Sequence, residues 1–176
     1  MRLRLGVFLV LAIFGLPFSV LSLDMKDAYL HTDRIVIDPQ RPNILYAAFF
    51  SYGIYKTTDQ GKSWFPVNRG LKNTSVFTLE IDPKRPAVLY AGTYGGGIYK
   101  SEDAGGRWRE INRGLTSTSI FSMILDPEDP NHLIAATAVS VFETRNGGEL
   151  WKEIGMGLKF DPNSDNRNLF FVPQLA

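Results

Sequence analysis

Cysteine is absent from this 176-residue chain. Disulfides, thiolate metal ligands, a cysteine nucleophile and a lipidated cysteine are therefore excluded. Histidine is nearly absent: His31 and His132 are the only two, too few for a proton relay or a histidine metal cluster. No metal and no cofactor is expected. A surplus of one charge sign is also missing, with 19 Lys and Arg against 18 Asp and Glu. Setting aside Arg2 and Arg4 at the extreme N-terminus leaves 17 against 18, a net charge of −1. Such a chain has no electrostatic reason to seek nucleic acid or an anionic membrane surface.

What is present is 16 Gly, 10 Pro and 22 aromatic residues (12 Phe, 7 Tyr, 3 Trp), the composition of short strands joined by many turns. The N-terminal segment stands apart. Arg2 and Arg4 precede an uncharged stretch at 5–23 that Pro17 interrupts, and Val20 and Ser22 fit the small-residue positions of a cleavage site. This is the layout of a secretory signal at 1–22. The alternative is an uncleaved anchor, since 19 uncharged residues approach the roughly 30 Å of a bilayer core. The signal reading sends the mature chain to the periplasm or the cell exterior, with membrane contact only if the segment is retained.

Residues 23–176 are organised by an internal repeat. IDPQRP at Ile37, IDPKRP at Ile81 and LDPEDP at Leu125 space Asp38, Asp82 and Asp126 by 44 and 44. Trp64, Trp108 and Trp151 follow at intervals of 44 and 43, and the units close with RGL at Arg69, RGL at Arg113 and MGL at Met156. Residues 37–80 and 81–124 share 22 identities in 44 positions. In the second unit, strands are predicted at Val76–Ile81, Val88–Thr93, Ile98–Ser101 and Arg107–Ile111, separated by proline or glycine turns. Four strands every 44 residues predict an all-β chain of propeller-type blades. Three four-stranded antiparallel sheets are expected, at about 35–78, 79–122 and 123–160, with a degenerate tail at 161–176.

Three segments, TTDQGKSW at Thr57, SEDAGGRW at Ser101 and TRNGGELW at Thr144, resemble the Asp-box, or BNR repeat, of bacterial sialidases and sortilin-type receptors. With its IDP, LYAG and GGIYKS segments, the wider unit is also similar to xyloglucanase-type hydrolases and to the cyanobacterial photosystem II assembly factor, within the WD40/YVTN-like class. The resemblance implies a propeller that is either an interaction module or part of a carbohydrate-active hydrolase. The residue types favour a structural role for the motif. A carboxylate at Asp59 or Asp103 accepts N–H bonds from a tight turn, Gly61, Gly105 and Gly148 take left-handed backbone, and Trp64, Trp108 and Trp151 bury their rings. Asn146 replaces the acid in the third copy, which a turn tolerates and a reacting carboxylate does not. Asp38, Asp82 and Asp126 recur before proline in the same turn-forming manner.

Enzyme chemistry needs unlike residues converging on one point. Arg41, Arg85, Arg69 and Arg113 stand at equivalent repeat positions, unlike the arginine triad of a sialidase. The non-repeated acids Glu80, Glu102, Glu110, Glu143 and Glu149 show no pairing suited to glycoside cleavage. His132 aligns with Asn43 and Ala87 in an inter-strand turn. No residue is assigned a catalytic role, and the chain reads as an exported, non-catalytic repeat module. In a meander, the acid-proline turns and the Asp-boxes share one end of the blades, and the segments that differ between copies share the other. There Phe50, Tyr52 and Tyr94, beside Ser75 and Thr118, form the candidate surface for a protein or glycan. The competing reading packs the rings between blades. A closed ring of six to eight blades needs at least roughly 260 residues. Three blades leave two apolar radial faces open, for which self-association, another propeller fragment, or truncation of a longer gene product are the expected explanations.

Overall fold

The computed structural model describes residues 32–155; the predicted signal segment, His31 and the tail at 161–176 lie outside them. Twelve strands follow in chain order: β1 (Thr32–Ile37), β2 (Leu45–Phe49), β3 (Gly53–Thr57), β4 (Phe65–Pro66), β5 (Val76–Ile81), β6 (Leu89–Thr93), β7 (Gly97–Ser101), β8 (Trp108–Glu110), β9 (Ile120–Leu125), β10 (Leu133–Thr137), β11 (Val141–Thr144) and β12 (Lys152–Glu153). They form three antiparallel sheets ordered β1-β2-β3-β4, β5-β6-β7-β8 and β9-β10-β11-β12. Short turns permit only antiparallel neighbours, so each sheet is a meander. The all-β blade fold is therefore present. In the second blade, β6 starts one residue later than the periodicity predicts, β7 takes in Gly97, and β8 keeps only three residues.

The first strands of successive blades lie beside one another, β1 against β5 and β5 against β9. Each blade thus has a trailing face toward the next blade and a leading face toward the previous one. Between the first two blades, Val36, Ile44, Tyr46, Ala48 and Ile54 meet Val76, Leu79, Leu89, Tyr99 and Trp108. Between the second and third, Val88, Tyr90, Ile98 and Ile111 meet Ile120, Met123, Leu133, Phe142 and Trp151. These residues are nearly all fully buried, and burial of one such side chain stabilises by about 1.5–3 kcal/mol.

The repeat's fixed letters are inter-blade fasteners. The Trp108 indole donates to the Val67 carbonyl at 2.7 Å, and Trp151 repeats this to Ile111 at 2.8 Å. The Trp108 backbone N–H donates to the Arg69 carbonyl at 2.8 Å, and that of Trp151 to Arg113 at 2.9 Å. This explains RGL. At Gly70 and Gly114, with φ of 91° and 94°, a Cβ would collide with the carbonyl oxygens of Trp108 and Trp151, so only glycine lets the connection press against the next blade. A further clasp joins the Tyr46 hydroxyl and Lys56 Nζ, which both donate to the Ala104 carbonyl, at 3.2 and 3.1 Å. Burial, reinforced by the Asp38 charge, pushes the Tyr46 phenol up to about 12, so it remains a donor at any physiological pH.

Candidate functional site

The two ends of the blades differ in chemistry. At the end carrying the acid-proline turns, Asp38 is buried and its Oδ1 accepts the N–H groups of Gln40 and Arg41 at 2.9 and 3.0 Å. Its Oδ2 accepts Arg41 Nε–H at 2.9 Å. Asp82 repeats the arrangement with Lys84 and Arg85 at 2.9, 3.0 and 2.9 Å. In the third blade Asp126 accepts from Glu128 and Asp129 at 2.9 and 3.2 Å, but Asp129 stands where the arginines were. His132 Nδ1 takes their place, 3.5 Å from Asp126 Oδ2. One sequence expectation is corrected here. The bonds from Asp38 N to Ile44 O, Asp82 N to Val88 O and Asp126 N to His132 O align His132 with buried aliphatic residues, one position later than Asn43 and Ala87.

The Asp-boxes sit at the same end; the Asn43 side chain donates to the Thr58 carbonyl at 2.8 Å. Asp59 Oδ1 accepts the Thr57 hydroxyl at 2.7 Å and the Ser63 N–H at 2.9 Å, and its Oδ2 the Ser63 hydroxyl at 2.6 Å. These bonds, that of the Ser63 hydroxyl foremost, hold the Asp59 carboxyl well below the usual carboxylate range. Asp103 accepts the Ser101 hydroxyl and the Arg107 N–H, both at 2.8 Å, and the backbone bond from Arg107 chiefly lowers its pKa. Asn146 Oδ1 accepts the Thr144 hydroxyl at 2.7 Å and the Leu150 N–H at 3.0 Å, so an amide performs the same bonds. Gly61, Gly105 and Gly148 have φ of 86°, 87° and 90°. The Trp108 and Trp151 rings are 2% exposed, whereas Trp64 is only half-buried.

These acids are committed to their turns. The non-repeated acids are mostly ion-paired: Glu80 with Arg34, Glu102 with Lys100 and Arg109, Glu110 with Lys72, and Glu143 with Arg145. Burial raises the Glu80 pKa against the opposing Arg34 charge. Among the described residues no group of three or more His, Asp or Glu is placed to hold a metal ion.

The opposite end is aromatic. Phe50 packs on Phe77 with ring centroids 5.2 Å apart, Phe77 meets Tyr94 at 6.0 Å and Phe121 at 5.6 Å, and Tyr94 meets Phe121 at 6.0 Å. Four rings from three blades thus form one cluster. Phe50 is 41% and Tyr94 52% exposed. Tyr52 is also exposed, but no ring contact joins it to this cluster. Ser75 and Thr118 serve through their backbones: the Ser75 carbonyl accepts the Tyr94 N–H at 2.9 Å, and the Thr118 carbonyl accepts those of Gly95 and Gly97 at 3.1 and 2.8 Å. Sequence reasoning missed Phe77 and Phe121. Each lies at a register shift, between Val76 and Thr78 and between Ile120 and Ser122. A bulge of this kind re-aims the extra side chain, here into the aromatic cluster. The signal was the SVF and SIF recurring 44 residues apart.

No protein-family model matches the sequence, and no curated protein matches it. Solved structures do. An ancestral GH74 enzyme is 26% identical, with a TM-score of 0.61, over 70% of this chain and 18% of its own. The GH74 enzyme of Niastella koreensis is 20% identical, TM-score 0.57, over 69% and 22%. YCF48, in a structure titled as bound to D1 peptide, is 16% identical, TM-score 0.51, over 70% and 42%. The chain therefore spans well under half the length of each of these structures.

Proposed function

We propose that this chain, whose blades are those of the BNR and WD40-like propellers, is an exported, non-catalytic module that binds an extended protein segment on its aromatic end. The observation that carries the reading is the Phe50–Phe77–Tyr94–Phe121 cluster, continuous over three blades and half-open to solvent. Its rings are tilted at 42° to 78° to one another, so they present no single flat shelf for a sugar ring. Three of the four rings are phenylalanine and offer no hydrogen-bonding atom, so a glycan's hydroxyls gain little there. Tyr52, Ser75 and Thr118 border this end of the blades and would supply its polar rim. The carboxylates of the opposite end are engaged in turns and ion pairs, which supports binding without turnover. Export rests on the sequence of residues 1–22.

A second reading, part of a carbohydrate-active hydrolase, draws support from the 26% identity to an ancestral GH74 enzyme. One pair of assays separates the two. The purified protein is screened on peptide and glycan arrays, and incubated with fluorogenic sialosides and β-glucans. The expected result is peptide binding that Tyr94→Ala and Phe121→Ser each weaken at least tenfold, without change in melting temperature beyond a few degrees. Turnover of a glycan substrate, or peptide binding indifferent to both substitutions, overturns the reading.

A further inference from the structure

The first and third blades each leave one radial face unpaired among the described residues. On the leading face of the first blade, Ile35 and Ile37 are 55% and 52% exposed. Ile35 is the repeat counterpart of Leu79 and Met123, both buried against a preceding blade. Trp64 is the counterpart of Trp108 and Trp151, whose indoles donate to Val67 and Ile111; its own indole has no acceptor among the described residues. On the trailing face of the third blade, Ile154 occupies the position of Val67 and Ile111 and is 48% exposed. The two open faces therefore carry the halves of an interface that this chain already builds twice.

Repetition alone would accept any blade of the class. What narrows the partner is a matched departure of both faces from the internal pattern. Within the chain a trailing-face lysine, Lys56, reaches the carbonyl of Ala104 on the next blade's Asp-box turn, and Lys100 stands at the same position in the second blade. In the third blade that position is Glu143, and the paired tyrosines Tyr46 and Tyr90 become Ile134. In the same blade Asp129, exposed, takes the position of Arg41 and Arg85. The leading turn of the first blade changes in the opposite sense. Gln60 replaces Ala104 and Gly147, Lys62 replaces Gly106 and Glu149, and both are exposed. An acceptor has replaced the donor on one face, and donors have appeared on the other. Glu143 has Arg145 and His132 within 3.3 and 3.5 Å, and it retains accessible surface for a lysine.

We infer that a second copy of this chain packs head to tail on these faces, the third blade of each against the first blade of the other, closing a six-bladed ring. In that ring Lys62 of one copy meets Glu143 of its partner, and the Trp64 indole donates to the partner's Ile154 carbonyl. A head-to-tail contact made twice about a two-fold axis closes on itself, and six blades fall within the range of known propellers. The assembly is independent of what the aromatic end binds.

Light scattering after size-exclusion chromatography reads it directly. The expected mass of the purified chain at micromolar concentration is twice that of one chain. Glu143→Lys and Lys62→Glu each raise the dimer dissociation constant at least tenfold, and the double exchange returns it to within about threefold of the original. Ile35→Asp also yields monomer, with an unchanged far-ultraviolet dichroism spectrum. A monomeric mass for the parent, a mass above two chains, or a double exchange no better than either single one overturns the proposal.

Discussion

Trp108 offers the sharpest test of how the blades are held, because its repeat counterpart Trp64 provides an internal control. The Trp108 ring is 2% exposed between the first two blades and its indole donates to Val67 O at 2.7 Å. Replacing it by alanine removes a large buried ring and leaves a cavity, a loss of about 3–5 kcal/mol. The stranded Val67 carbonyl accounts for about 1 kcal/mol of that. Trp108→Phe keeps most of the ring and loses the donor, so about 1–2 kcal/mol is expected. At the scale of this domain the alanine variant should melt roughly 10–20 °C lower. Urea denaturation followed by far-ultraviolet dichroism measures both variants, with the slope unchanged if only stability has moved. Trp64→Ala, assayed at a concentration where the chain is monomeric, should cost about 1 kcal/mol or less, because no blade among the described residues covers that ring. Equal losses at Trp64 and Trp108 would refute the reasoning, and so would a Trp108→Ala variant as stable as the parent.

Three further outcomes follow from the same contacts. Asp103→Asn should change stability by less than about 0.5 kcal/mol, since Asn146 makes these turn bonds as an amide, whereas Asp103→Ala should cost about 1 kcal/mol; thermal melts of both variants decide it. Gly70→Ala drives a methyl into the Trp108 carbonyl and should cost at least about 3 kcal/mol or prevent accumulation of folded protein, read by the soluble yield and urea midpoint. Hydrogen bonds lower the pKa of Asp59, Asp103 and Asp126 below the ordinary 3.8, so their contribution is present above that pH and is lost as pH falls through the lowered values. Melting temperature should therefore drop below about pH 4, and the Asp103→Asn variant should lose less of it than the parent.

The fold was legible because one unit is written three times, and each copy constrains the reading of the others. Alternation in Val76–Ile81 and proline at Pro83 and Pro86 fixed β5 and its exit turn to the residue. Alternation could not locate the bulge. With period two, Phe77 should point away from Val76 and Thr78, and only the register shift against Thr93 and Gly92 shows that one residue is extra. The partners of Arg41 and Arg85 were hidden for a different reason. Their repetition argued for a turn role, but which carboxylate they neutralise depends on the curvature of a seven-residue turn. His132 was placed one residue early because the third copy has lost the arginine that anchors the comparison.

Identity between copies and difference between copies carry different information in this chain. A residue that recurs in every blade answers a need that recurs in every blade, such as an acid whose carboxylate accepts the N–H groups of a proline turn. Once those bonds are made, the turn acids Asp59 and Asp103 are engaged by their own turns. Specific recognition requires groups that differ from blade to blade, because a partner is not itself three-fold repetitive. The rings of Phe50 and Tyr94 occupy one repeat position, Phe77 and Phe121 another, and the third and first blades break both series with Ala138 and Asp33. That break gives the cluster two ends and hence a direction.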